Sequence, residues 1–531
     1  MSFEHQQPYS SSNEGRACTG TITIVCHDFI DNIDRRILNY AADQIRLGKH
    51  LTILGITREH KTVDKVVSPK LRIVGAPVLE IKYDSPKWLK GAYAFSIISW
   101  TSIVSYYVLK RRALGMYLEK RSPKTRLVLL AIRRKFKLAV AHLINATEKV
   151  KRRKTETLSE FARAKTIAKS RELRSDEIAH LKRLASGSNS LLPLGRLAPE
   201  EFDPLPFNEL FDKYLAKLDT PDLLIACDLP ALPAAVKYRQ TRGCKLIYDA
   251  HELYPFQKEF TRRQKLYLAQ EEAISLRSVD HVITVSDSIV DYFQQIYGVQ
   301  ATCVNNAPSF ETLPDTLGEI VKLPTNEGQI TLLYHGGFSR GRQLLELAQA
   351  FKKMNRADVA IIYIGAGELR PDLEKLASTT PNFYILDSIP QEAIPALLRS
   401  VDLITISYPA LDENTRGAFP NKLGDAIQLG VPIIGNSEME NLAKICGLYG
   451  IGFCGKMNDI DAICDTLEKG VNWYKSLTKS DLAQYFDKAR ADLGWESQII
   501  KFDRVVRNLI DEVAPGNTPT RISITSQDQS R

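Results

Sequence analysis

Short apolar runs recur along the chain, each followed by a stretch of helical spacing, and the pattern occurs as two successive series. The first series comprises 21–25, 51–55, 222–226, 245–248 and 281–285; the second comprises 330–334, 360–364, 383–386, 403–406 and 431–434. Apolar runs of this length separated by helices read as buried strands of a parallel sheet, with helices covering both faces. At 531 residues the chain is too long for one core of this kind. Two doubly wound α/β domains facing a cleft are therefore predicted. The predicted boundaries are a disordered arm over 1–19, an N-terminal domain over 20–310, a linker over 311–328 and a C-terminal domain over 329–480. Helices over 481–513 are expected to cross back to the first domain, and 514–531 is expected to be a disordered tail.

The strand rhythm stops between about residues 85 and 204, which marks an insertion in the N-terminal domain. Residues 91–109 carry no charge, and the segment from Lys110 to Lys154 holds sixteen Lys or Arg against only Glu119 and Glu148. The net charge of +9 is therefore a local property of this segment. A single membrane crossing would place strands of one sheet on opposite sides of a bilayer. A return span is disfavoured because 127–144 carries Arg133, Arg134, Lys135 and Lys137. A helical insertion docked on an anionic membrane surface through 91–154 is the reading adopted, with a hairpin packed on the sheet as the alternative. No nucleic-acid reading motif accompanies the basic run. The eight cysteines form no C-x-x-C pair, which argues against a zinc site or disulfide framework. The first sixteen residues lack the apolar core of a signal peptide. A cytoplasmic protein, peripherally attached to the inner face of the cell membrane, is expected.

Three stretches carry candidate chemistry. The run 330–334 leads into His335, Gly336, Gly337, Phe338, Ser339, Arg340, Gly341 and Arg342, and then into a helix. Glycines let a diphosphate approach the backbone, a helix N-terminus offers free N–H groups, and arginines supply paired donors. A second turn, Gly365 to Glu368, follows the next strand and is equally compatible with a purely structural role. The helix containing Asp425 ends at Gly430 and delivers the chain into a strand, so its carboxylate is a candidate ligand for ribose hydroxyls. In the first domain His251 and Glu252 follow a strand end and are candidates for donating to, or orienting, a reacting group, with helix capping as the alternative. Asp28 and Asp228 occupy equivalent loops and are acceptor-side candidates.

The order of these marks resembles the GT-B-fold glycosyltransferases of family 4. The resemblance covers 20–81 and 221–509 and rests on Asp34-Arg35-Arg36, Tyr248 to Leu253, Asp280 to Ser286, Asn306 to Pro308, the Gly-Arg turn, and Pro420 to Ala426 leading to Gly430 to Pro432. It implies two Rossmann-like domains and sugar transfer with retention from a nucleotide-sugar donor, UDP- or GDP-linked. It implies no other cofactor and no bound metal. By the same resemblance Gly336, Gly337, Arg340, Arg342, Gly365, Asn421, Lys422 and Asp425 contact the donor, and Arg342, His251 and Glu252 form the catalytic set. Many members carry two glutamates eight positions apart; here those positions are Gly417 and Asp425. A lipid-linked or surface-polysaccharide acceptor follows from pairing this family with the basic insertion. A sugar-nucleotide epimerase of the same fold, or an inactive binding subunit, is the alternative.

Overall fold

The structure is a computed structural model that describes residues 20–78, 172–187, 207–258, 260–309 and 323–511. The first sheet comprises β1 (Thr21–Phe29), β2 (His50–Thr57), β3 (Val63–Ser68), β4 (Leu71–Pro77), β5 (Leu223–Cys227), β6 (Lys245–Ala250), β7 (His281–Thr284) and β8 (Thr302–Cys303). Its order is β3-β4-β2-β1-β5-β6-β7-β8, parallel throughout except for the antiparallel β3–β4 edge. The second sheet comprises β9 (Ile330–His335), β10 (Val359–Ile364), β11 (Phe383–Leu386), β12 (Leu403–Ile406), β13 (Ile433–Asn436) and β14 (Gly452–Gly455). Its order is β11-β10-β9-β12-β13-β14, all parallel.

These strands form where the sequence has continuous apolar runs because both faces of each sheet are covered. Every residue of β5 and β10 is buried. The two expected doubly wound domains are present. The β3–β4 pair and the short strands β8 and β14 are additions to the expected strands. The first has an exposed, charged partner strand, and the other two are too short or too glycine-rich to stand out. In each sheet the chain starts at the centre and winds outward both ways, so strand order reverses between β1 and β5 and between β9 and β12. Those reversals open a crevice at the strand ends, which is where ligands of such sheets lie.

Only part of the predicted C-terminal crossing over 481–513 holds. The helix Lys479–Leu493 stays on the second domain, where Phe486 and Ala489 are buried beside the helix Asn421–Leu429. The chain crosses only at Gly494, because the next helix, Trp495–Asp511, carries the apolar face that matches the first domain. Trp495 Nε1 donates to Asp43 at 2.9 Å, and Phe502 stacks on Tyr40 with centroids 3.8 Å apart. Gln498 Oε1 accepts the Asn305 N–H at 3.0 Å.

Of the insertion, the helix Ser175–Ala185 is described. It packs on the helices Arg262–Leu276 and Asp287–Tyr297, tied by Glu177 to Arg262 at 2.6 Å and by Arg277 Nε to the Leu184 carbonyl at 2.5 Å. The membrane-facing expectation for 91–154, the arm over 1–19, most of the linker and the tail over 514–531 lie outside the described residues. Among the described residues no helix is long and apolar enough to cross a membrane.

Candidate active site

On the second domain, β9 delivers the chain into the glycine turn at the point of strand-order reversal. Gly336 sits at φ +124°, a conformation L side chains rarely adopt, and donates its N–H to the Ile364 carbonyl at 2.9 Å. Phe338 N–H donates to the Ala366 carbonyl at 2.9 Å, so the two glycine turns are hydrogen-bonded to each other. Gly365 is buried beneath this pair, where a Cβ would lie 1.9 Å from the Gly336 oxygen. Its absent side chain lets the turns close, while Gly336 and Gly337 are the exposed members. Gly365→Ala is expected to force the turns apart, lowering stability by about 1–3 kcal/mol as overpacking does. A thermal melt with and without nucleotide checks this: the variant should lose both stability and any ligand-induced shift.

The two arginines of the turn diverge. Arg340 is 73% exposed and lies 3.9 Å from Glu368 on the outer side. Arg342 places its guanidinium 4.4 Å from the Tyr408 ring centroid. Lys422 Nζ donates to the Tyr408 hydroxyl at 2.8 Å and lies 5.1 Å from the Tyr334 ring centroid. Burial alone raises the Tyr408 pKa, but Lys422 and Arg342 outweigh it and bring the phenol below its ordinary value. The cradle therefore consists of Arg342, Lys422 and Tyr408 above exposed glycines.

The helix Asn421–Leu429 faces the first domain. Asn421 Oδ1 accepts from Asn306 of the first domain at 2.7 Å, and a Cβ at Gly424 would meet the Asn306 oxygen at 2.6 Å. The two domains thus touch at this helix. The Asp425 side chain, 4% exposed, accepts from Arg35 Nη1 at 2.7 Å. Burial raises the Asp425 pKa, with Arg35 and Lys422 opposing the rise. His335 at the end of β9 is pushed down to about 3 by burial and by the Lys422 and Arg35 charges, so it is neutral. Gly417 does not face open space: its carbonyl accepts from Ser286 Oγ at 2.5 Å, and a Cβ there would lie 3.3 Å from Ile289.

The facing loops of the first domain hold the remaining candidates. Asp249, at the end of β6, binds the Arg36 guanidinium through both oxygens, at 2.8 and 3.1 Å, with neither side chain exposed. His251 Nε2 lies 3.0 Å from Asp249 Oδ2, and its Nδ1 lies 3.8 Å from Asp228. Burial works against charge on His251, but Asp228 and Asp249 outweigh it and raise its pKa; burial raises Asp228 in turn, so Asp249, held low by Arg36, is the firmer counter-charge. Asp228 adopts φ +60°, a strained conformation for a non-glycine residue, and accepts the His251 backbone N–H at 2.8 Å. Asp28 Oδ2 accepts the Asp34 N–H at 3.1 Å. Glu252 is engaged by Gln257 at 2.5 Å and, across the cleft, by Asn414 at 2.9 Å. Cys227, Asp249 and His251 offer ligand atoms within 4.8 Å of one another, but the Arg36 guanidinium already occupies both Asp249 oxygens.

Eight of the sequence candidates gather in two groups, and four lie elsewhere. Arg342, Lys422, Asp425, Gly336 and Gly337 gather at the second domain's switch point. His251, Asp228 and Asp28 gather at the strand ends of the first domain. Arg340 and Gly365 lie outside both groups as possible ligand contacts, and Glu252 and Asn421 hold the domains together. Arg35, Arg36, Asp249, Tyr408 and Asn414 received no role from the sequence. Arg35 and Arg36 stood in a noticed motif, but their partners lie 390 and 213 residues away.

Two facing Rossmann-like sheets with a cationic turn at the cleft define the GT-B fold. The model for Glycosyltransferase Family 4 matches residues 182–307, and that for Glycosyl transferases group 1 matches 329–472; together they take in just over half of the chain. The chain belongs to the family-4 glycosyltransferases of GT-B fold. Sucrose-phosphate synthase from Thermosynechococcus elongatus superposes with a TM-score of 0.55 at 13% identity, covering 93% of this chain and 99% of that one. A UDP-forming trehalose-phosphate synthase from Burkholderia vietnamiensis gives 0.55 at 10% identity over 93% and 100%. The trehalose-6-phosphate protein from E. coli, bound with UDP-2-fluoro glucose, gives 0.54 at 9% over 92% and 99%. These likenesses show the fold. Among curated proteins, none matches the sequence.

Proposed function

We propose that this glycosyltransferase is a retaining, metal-independent hexosyltransferase. It takes a sugar from a UDP- or GDP-linked donor to a lipid-linked or surface-polysaccharide acceptor, at the cytoplasmic face of the cell membrane. The observation that carries the donor part is the cradle of Arg342 and Lys422 on Tyr408 at the strand-order reversal. Cations fixed beside exposed glycines suit a diphosphate, and they act most strongly as negative charge grows on the departing nucleotide. Asp425 is the carboxylate for the ribose. His251, its charge supported chiefly by Asp249, is suited to donating a hydrogen bond to the sugar or phosphate rather than to removing a proton. Retention then follows from departure of the diphosphate and attack on the same face of the sugar. Thermal shift of the wild-type protein with UDP and with GDP, followed by a donor screen scored by nucleotide release, tests this. No shift with either nucleotide would sink the enzyme reading.

Support for the membrane part is the basic segment 110–154, inserted in the domain that faces the acceptor. Flotation with phosphatidylglycerol-containing vesicles should carry the full chain, while deletion of 91–154 should abolish flotation. Equal flotation of the deleted chain would remove the membrane assignment.

A further inference from the structure

We infer that Arg35 is a phosphate-oxygen ligand which the N-terminal domain contributes to the donor-side cleft. The inference rests on the reading of that cleft as a nucleotide-sugar site and adds a residue from the opposite domain to it. Arg35 opens the helix Arg35–Arg46, and its guanidinium crosses the cleft to Asp425, spending one nitrogen, Nη1, at 2.7 Å. Its Nε and Nη2 are buried and find no acceptor among the described residues. A guanidinium carries five N–H donors, and leaving charged donors buried without acceptors is costly.

Several neighbours point the same way. His335 Nε2 is buried and also lacks a partner among the described residues, although the residue is only 8% exposed. Lys422, on the helix that carries Asp425, adds a second cation, and Arg342 adds a third beside Tyr408. Among the described residues, Asp425 is the one carboxylate that forms an ion pair with any of these three. The cleft thus has an excess of cationic donors over acceptors. A phosphate group supplies oxygen acceptors and negative charge at once, and a planar guanidinium suits it. Water satisfies donors but leaves the charge unbalanced. Arg35 then serves as a shared ligand: one nitrogen stays on Asp425 and the free edge takes the phosphate, so binding draws the domains together.

Phosphate oxygens reach this cleft either in the diphosphate of the donor or on a phosphorylated acceptor. Isothermal titration of the full chain with pyrophosphate, UDP, GDP and glucose 6-phosphate separates these sources. Arg35→Ala should weaken binding of at least one probe by about tenfold or more. Loss for pyrophosphate and the nucleotides assigns the donor diphosphate, and loss confined to glucose 6-phosphate assigns a phosphorylated acceptor. Asp425→Asn removes the ion pair but keeps the guanidinium, so it should bind pyrophosphate at least as tightly as wild type. Lys469→Ala, on the outer face of the helix Ile460–Lys475, should leave all four affinities unchanged. Wild-type affinity of Arg35→Ala for every probe would overturn the proposal. So would an Asp425→Asn variant that loses pyrophosphate as Arg35→Ala does, since Arg35 would then be only a latch. A wild-type chain that binds pyrophosphate or glucose 6-phosphate through Arg35, but neither UDP nor GDP, would defeat the nucleotide-sugar reading and leave this inference standing.

Discussion

Arg342→Ala is expected to lower kcat/KM for sugar transfer by about 10²- to 10³-fold, the usual effect of removing one fixed donor from a developing anion. The residue sits beside exposed glycines and over the Tyr408 ring, so its guanidinium is held in place before any ligand arrives. Preorganisation of that kind favours the transition state more than the ground state, because charge on the leaving diphosphate grows as the sugar bond breaks. The loss should therefore appear in kcat as well as in KM. Arg342→Lys keeps the charge but loses the planar fork and should fall between the two. Steady-state nucleotide release is the measurement. An Arg342→Ala enzyme with wild-type kcat would remove this residue from the mechanism, whereas Arg340→Ala, whose guanidinium lies by Glu368, should cost far less.

The largest effect on stability is expected for Arg36→Met. Arg36 and Asp249 are both wholly inaccessible, and the guanidinium also donates to the Val304 carbonyl at 2.6 Å. Removing one partner of a buried pair typically costs about 3–5 kcal/mol, because the other charge stays buried without compensation. Here Asp249 would retain only His251. Denaturant unfolding should show that loss. An Arg36→Met midpoint equal to wild type would mean that the network contributes nothing to folding.

The same network gives a pH dependence whose sign follows from its members. His251 rises from an ordinary 6.5 to about 10, through its acidic partners and against burial. Its stabilisation is complete below the unfolded value and is lost as pH climbs toward the folded one. Asp249 is shifted the other way: burial opposes the shift, but Arg36 and His251 hold it below its ordinary 3.8. Its contribution is present above that value and disappears in acid. The destabilisation caused by His251→Asn should thus be greatest at about pH 5–6 and shrink toward pH 10. Unfolding midpoints across that range check it, and a difference that grows with alkalinity would contradict the assigned charge.

Much of the molecule was readable because its signals are local. Continuous apolar runs such as 223–227 and 359–364 are strands by pattern alone, since burial on both faces leaves no place for polar residues. Glycines and arginines after β9, and the carboxylate at 425, were visible as residue types suited to phosphate and ribose. The helix Lys479–Leu493 was misplaced because its sequence does not say which domain its buried residues, Phe486 and Ala489, will meet. Sequence resemblance put Arg342 in the catalytic set, but the opposite environments of Arg340 and Arg342, two positions apart in one turn, are not visible in it.

Sequence by itself determined two parallel α/β domains, the position of the glycine turns and the helix that carries Lys422 and Asp425. Only tertiary structure decided that Arg342 faces the cleft while Arg340 faces Glu368, that Gly365 serves turn against turn, and that Asp249 belongs to Arg36. It also decided that Asp425 is held by an arginine of the other domain. The physical reason is separation along the chain. Strand and turn formation depend on neighbours within a few residues, whereas ion pairs across 213 or 390 residues exist only once two sheets have closed on each other.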